Sequence, residues 1–175
     1  IDMQHGLIDH QAAIGMLQAL HGNGVAPLVR AEWLEPAAIM KPLDAGALGI
    51  ICPMIETADD VRRFVSYARY EPLGARSFGP SRALIAYGPD YPERANDEVL
   101  CIAMIETKTA FANLDEIVAV EGLDAVYIGP SDLTLGLHHG RLPAGFDREE
   151  PEMLDAIERI RTAAHAAINN LKFIP

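Results

Sequence analysis

The stretch VLCIAMIETKTAFANLDEIVAVEGLDAVYIGPSDL (99–133) holds a complete structural repeat. Its opening run, VLCIAMI (99–105), is apolar and too short for a helix, whereas 107–121 carries apolar residues at helical spacing. Gly-Leu-Asp (122–124) stands where a left-handed cap ends a helix. DAVYIG (124–129) is a second apolar run, and it breaks at the turn GPSD. The order is strand, helix, strand, helix start. Working outward, GVAPLV (24–29) and LGIICPM (48–54) read as further buried strands, and 8–21, 34–45, 56–70 and 149–168 as helices. In 56–70, Val61, Phe64, Val65 and Ala68 form one apolar stripe. Gly-Asn-Gly (22–24) and Ala-Gly-Ala (45–47) occupy the same helix-to-strand position as Gly-Leu-Asp. The 71–98 segment, rich in Gly, Pro and Tyr, reads as a long inserted loop. The class is α/β with a parallel sheet. An open doubly wound sheet and a (β/α)8 barrel both satisfy it, and both gather function just beyond the C-terminal ends of the strands.

At 175 residues the chain fits one domain, 1–175. It contains no apolar run near the ~18 residues of a membrane span. Fourteen basic against 25 acidic residues, a formal charge of −11, exclude nucleic acid and anionic membranes as natural partners. Cys52 and Cys101 lie inside apolar runs, where thiols pack as small hydrophobes, so a reducing cytoplasm is expected rather than a disulfide framework. The chain opens Ile1-Asp2 at what reads as a strand end, an expectation of truncation there.

Each strand end delivers a polar group: Asp2 and His5, then Arg30, Glu106 and Asp132. Two carboxylates at the ends of adjacent strands, Glu106 and Asp132, repel unless a cation lies between them or one is protonated. Oxygen donors without His or Cys suit Mg²⁺ or Mn²⁺, with positions left for water and a chelating substrate. Either acid alone could instead cap the helix that follows it. Arg30 calls for an anion, either a structural partner such as Asp44 or a substrate oxyanion that Arg30 meets while Asp44 orients it. In D-x-x-H, Asp2 could orient the His5 imidazole. The turn Gly129, Pro130, Ser131, Asp132 opens a helix whose free N–H groups would meet a carboxylate or phosphate. Gly74 to Gly79 together with Arg82 could form a second anion loop or an ordinary one.

Taken together, D-x-x-HG (2–6), PLVR (27–30), LDAG (43–46), PMIETADD (53–60), the RYEPLGARSFGPSRA stretch, IET (105–107) and VYIGPSDL (126–133) resemble the HpcH/HpaI class II pyruvate aldolases, which act on 4-hydroxy-2-oxo acids such as 2,4-dihydroxyhept-2-ene-1,7-dioate. The resemblance implies a (β/α)8 TIM barrel, of which strands two to six are present here. It implies cleavage to pyruvate and an aldehyde with a divalent metal, Mg²⁺, Mn²⁺ or Co²⁺. Glu106 and Asp132 match the metal ligands, Arg30 the residue facing the enolate oxygen, His5 the catalytic histidine paired with Asp2, and Asp44 the acid near the arginine. Gly129, Pro130, Ser131 and Met104 fall at substrate-binding positions. The family implies a homo-oligomer, a trimer or hexamer. Gln4 stands where many relatives carry Glu, Met104 where some carry Gln, and Ala31 where Pro often follows the arginine. The end, HAAINNLKFIP, departs from the family pattern.

The chemistry follows from the residues as well. Breaking C3–C4 leaves an enolate, which positive charge must stabilise, and a base must take the C4 hydroxyl proton. His5 is the strand-end group with a near-neutral intrinsic pKa. A Schiff-base route would need a desolvated lysine, and Lys41, Lys108 and Lys172 all lie outside the strand runs. Decarboxylation of oxaloacetate would use the same enolate. An inactive fragment that binds oxo acids is the reading from outside enzymology.

Overall fold

Apolar runs separated by amphipathic segments fold into a parallel sheet with helices packed on one face. The computed structural model describes residues 1–167, so Lys172 and most of HAAINNLKFIP lie outside the described residues. In chain order the elements are α1 (His10–Leu20), β1 (Leu28–Arg30), α2 (Pro36–Asp44), β2 (Gly49–Cys52), α3 (Ala58–Ala68), α4 (Ser81–Tyr87), α5 (Tyr91–Glu98), β3 (Leu100–Ile105), α6 (Lys108–Ala112), α7 (Leu114–Val118), β4 (Ala125–Ile128), α8 (Pro130–Leu137) and α9 (Pro151–Ala167). Strand order is β1-β2-β3-β4, all parallel. The strand expected to end at Asp2 contributes a single parallel bridge, Asp2 to Arg30, beyond β1. Among the described residues no helix is long and apolar enough to cross a membrane.

Side chains alternate across a strand, so the register sorts residues onto two faces. Val29, Ile50, Cys52, Cys101, Ala103 and Ile105 are buried in the main core with Leu17, Ile39, Leu43, Phe64, Leu114, Ile117, Leu133 and Ile160 from the helices. The other face carries Arg30, Ile51, Ile102, Met104 and Tyr127, none of them in that core, and Tyr127 is half exposed. This one-sided coverage is what a segment of a (β/α)8 barrel requires, because its second face is the barrel interior.

Two expectations change. The 71–98 segment is not a plain loop: it holds α4 and α5, separated by Gly88 at φ 96°. Tyr70, Ala83, Tyr91 and Ala95 bury a second small core there, and such packing makes short helices worthwhile in a stretch whose Gly and Pro content signals turns. The helix expected over 107–121 divides into α6 and α7 at Asn113, whose side-chain amide donates to the Glu56 carbonyl at 2.9 Å. The glycine stops behave as expected. Gly122 has φ 88°, and a Cβ there would lie 2.7 Å from Val65 Cγ1.

The end of the sheet where the strands begin is tied by a buried ion pair. Arg69, which caps α3, donates to Asp124 Oδ2 at 2.7 Å and to the Val99 carbonyl, and the same Asp124 oxygen accepts the Cys101 N–H at 2.8 Å. The two side chains are 5% and 8% exposed. Asp124→Ala is expected to cost about 3–5 kcal/mol, since it strands a buried guanidinium, and denaturant unfolding of the variant beside the wild type checks this.

Candidate active site at the strand ends

Glu106 follows the last residue of β3 and so falls on the face opposite the helices. The residue is 2% exposed. Two pieces of backbone position it. Met54, just past β2, adopts φ 52° and donates its N–H to Glu106 Oε1 at 2.7 Å. Across the β3–β4 register, where Ile105 pairs with Ile128, Gly129 lies beside Glu106. A Cβ on Gly129 would lie 2.6 Å from Glu106 Cβ and 2.7 Å from Oε2. The glycine therefore makes room for the second carboxylate oxygen, which accepts no hydrogen bond from the described residues. Burial pushes the Glu106 carboxyl above the ordinary range. The Met54 N–H opposes that shift, Asp132 adds to it, and Arg30 and His5 oppose it. The strand-end residues singled out from sequence thus share one electrostatic neighbourhood.

Asp132 sits in the first turn of α8, exposed, with no hydrogen bond or ion pair to a described residue. Glu106 and Asp132 fit a divalent cation as a two-carboxylate site, oxygen-only and open on one side. Among the described residues no group of three or more His, Cys, Asp or Glu side chains is placed to hold a metal, so the remaining coordination would fall to water and substrate.

Arg30 takes a different partner from the one expected. Its Nε and Nη2 donate to Asp2 Oδ1 and Oδ2 at 2.8 and 2.5 Å, a two-pronged pair across the Asp2–Arg30 bridge. Led by that bond, the Asp2 carboxyl falls to about 2, and the Arg30 guanidinium is held more firmly charged by Asp2 first, with Glu106 and Tyr127 adding to the effect. Asp2 does not grip the His5 ring. Its Oδ1 accepts the backbone N–H groups of Gln4 and His5 at 3.0 and 3.3 Å, which fixes the turn that carries an exposed His5.

Asp44 lies elsewhere. As the last residue of α2 it has been carried back to the end of the sheet where strands begin, and there it accepts from Arg76 Nη2 at 2.8 Å. Arg76 is buried under the Tyr70 ring, and Arg82 donates to the carbonyls of Ala45 and Leu17. Arg76 is thus paired with a carboxylate and Arg82 with two carbonyls, the arrangement of an ordinary loop tied to its neighbours.

The turn after β4 is only in part the N–H cradle expected. Gly129 donates to Ile105 O at 3.2 Å and Pro130 has no N–H, which leaves the groups of Ser131 and Asp132 at the start of α8. Met104 is 2% exposed and supports Gly129 from below, with its methyl 3.2 Å from the Cβ position. Lys41 and Lys108 are exposed on helices and lie outside the strands. Sequence reasoning missed Met54, whose left-handed backbone has no signature in a Pro-Met pair, and Tyr127, which shares the Arg30 face.

Comparison with known proteins bears on the fold and the family. The sequence pattern of the HpcH/HpaI aldolase/citrate lyase family matches residues 1–171. A hydroxypyruvate/pyruvate aldolase of Rhizorhabdus wittichii is 47% identical over 167 residues, covering 95% of this chain and 65% of the relative. A 2-dehydro-3,6-dideoxy-6-sulfogluconate aldolase of Pseudomonas putida is 38% identical, covering 92% and 64%. The crystal structure of an HpcH/HpaI aldolase/citrate lyase family protein from Burkholderia cenocepacia superposes with a TM-score of 0.84 at 30% identity, covering 95% of this chain and 66% of that one. The chain therefore spans about two thirds of the length of these relatives. The family pattern runs across 1–171 of a chain with four parallel strands and their helices, and the chain belongs to the HpcH/HpaI aldolase/citrate lyase family.

Proposed function

We propose that the strand-end site carries out metal-dependent aldol cleavage and condensation of 4-hydroxy-2-oxo acids, giving pyruvate and an aldehyde. The observation that carries this reading is the Glu106 carboxylate: buried, held by one oxygen, open at the other, with Asp132, Arg30 and His5 all acting on its charge. A divalent cation held by Glu106 and Asp132 would supply positive charge to the carboxylate and keto oxygens of a 2-oxo acid. Arg30, fixed by both oxygens of Asp2, presents a permanent charge where the enolate oxygen develops. His5, carried on the Asp2 turn at the exposed rim, takes the C4 hydroxyl proton. Ser131 and Asp132 offer N–H groups to the substrate carboxylate at the start of α8. The activities of the relatives, a hydroxypyruvate/pyruvate aldolase and a 2-dehydro-3,6-dideoxy-6-sulfogluconate aldolase, support this substrate class. A cytoplasmic setting belongs to the same reading, supported by two buried free thiols, Cys52 and Cys101.

Glu106→Ala and Asp132→Ala are each expected to abolish Mg²⁺ or Mn²⁺ binding in calorimetric titration. Unchanged affinity in both would overturn the assignment. Arg30→Ala is expected to keep metal affinity and lose about 10²–10³-fold in kcat for pyruvate-forming substrates. His5→Ala should slow aldol cleavage by about 10²–10⁴-fold and oxaloacetate decarboxylation far less, because decarboxylation removes no hydroxyl proton. Equal losses in the two reactions would reduce His5 to substrate binding.

The Asp2–Arg30 pair sets an acid limit. A depressed carboxyl stabilises the fold above its unfolded value near 4 and loses that contribution as the pH falls through its folded value. The Asp2 carboxyl should therefore titrate in NMR with a midpoint of about 2, and Arg30→Ala should move the midpoint up toward the ordinary value.

A further inference from the structure

Bidentate coordination by a carboxylate needs both oxygens turned toward the ion. In Glu106 one of them is already engaged and the other is packed from a different side. Oε1 is turned to the Met54 N–H at 2.7 Å, and Oε2 lies in the space left by the missing Cβ of Gly129. The two restraints come from different strand ends, β2 and β4, which flank Glu106 on either side. Met54 delivers its N–H from φ 52°, a conformation that a residue with a Cβ adopts only when its surroundings impose it.

Cations differ in how they use such a ligand. Ca²⁺ takes six to eight oxygens and readily accepts carboxylates through both, whereas Mg²⁺ keeps a small octahedron built from single oxygens and water. A carboxylate confined to one oxygen thus suits the smaller ion.

We propose that Met54 is a positioning residue: its main-chain N–H confines Glu106 to single-oxygen coordination and so makes the site select Mg²⁺ or Mn²⁺ against Ca²⁺. The inference rests on the metal assignment under the proposed function and adds to it the origin of selectivity. Met54 touches neither metal nor substrate in this role; it acts through Glu106.

The test titrates the full chain with each metal alone, Mg²⁺, Mn²⁺ and Ca²⁺, in the absence of substrate. The wild type should bind Mn²⁺ and Mg²⁺ more tightly than Ca²⁺. Met54→Gly, which keeps the N–H and adopts positive φ freely, should retain that ratio. Met54→Ile, whose branched side chain resists positive φ, should release Glu106 and lower Mg²⁺ affinity by about 10–100-fold, with Ca²⁺ affinity held or raised. Gly129→Ala, which displaces Oε2 from the other side, should shift the ratio in the same direction and serves if the isoleucine variant does not fold. Equal wild-type affinity for Ca²⁺ and Mn²⁺ overturns the proposal without any variant, and so does a folded Met54→Ile with the wild-type ratio. Metal binding that survives Glu106→Ala and Asp132→Ala would instead remove the site assignment itself, so the two failures are separable.

Discussion

A carboxylate at the end of an apolar strand must be given donors or charge, because burial penalises its ionised form. Glu106 meets that demand unevenly. One oxygen is answered by main chain and the other is left for something from outside, with Arg30 and His5 acting on the group from a distance. The surrounding architecture serves this imbalance. Met54 leaves β2 in a left-handed turn, Gly129 leaves β4 without a side chain, and Met104 fills the space below.

The opposite end of the sheet shows what the same residue types do when a guanidinium and a carboxylate answer each other internally. Arg69 with Asp124, and Arg76 with Asp44, are ion pairs whose arginines are buried, and their remaining donors go largely to carbonyls or to a tyrosine hydroxyl. Those pairs bind helices and loops to the strand beginnings. At the strand ends, by contrast, Asp132 has no partner among the described residues and Asp2 is spent on holding Arg30 in place. Stability and chemistry are therefore assigned to different ends of one layer, as parallel βα repetition allows.

Much of this was legible in the sequence because it depends on periodicity. Four short apolar runs became β1 to β4, and Arg30, Glu106 and Asp132 stand at strand ends because residue order alone places them there. Pairings were harder. Asp44 is near Arg30 in sequence, yet α2 carries it the length of the sheet away, and Asp2 reaches Arg30 only through an isolated bridge between residues 28 apart. Met54 was illegible for a related reason: its role is a backbone angle, and side-chain chemistry carries no record of it. The helices of 71–98 were hidden because Tyr70, Tyr91 and Ala95 form a core only once the segment has closed on itself.

The strand order has a kinetic consequence. Among the described residues β2, β3 and β4 each pair with the strand before them in sequence, so within this sheet no pairing waits for a distant segment. The longest interval between partners, from β2 to β3, is filled by α3 and by a segment with a small core of its own. A chain emerging from the ribosome can add one βα unit at a time to an existing edge, with the loop-closure cost of each step kept small. Over these four strands the order of synthesis and the order of assembly then coincide.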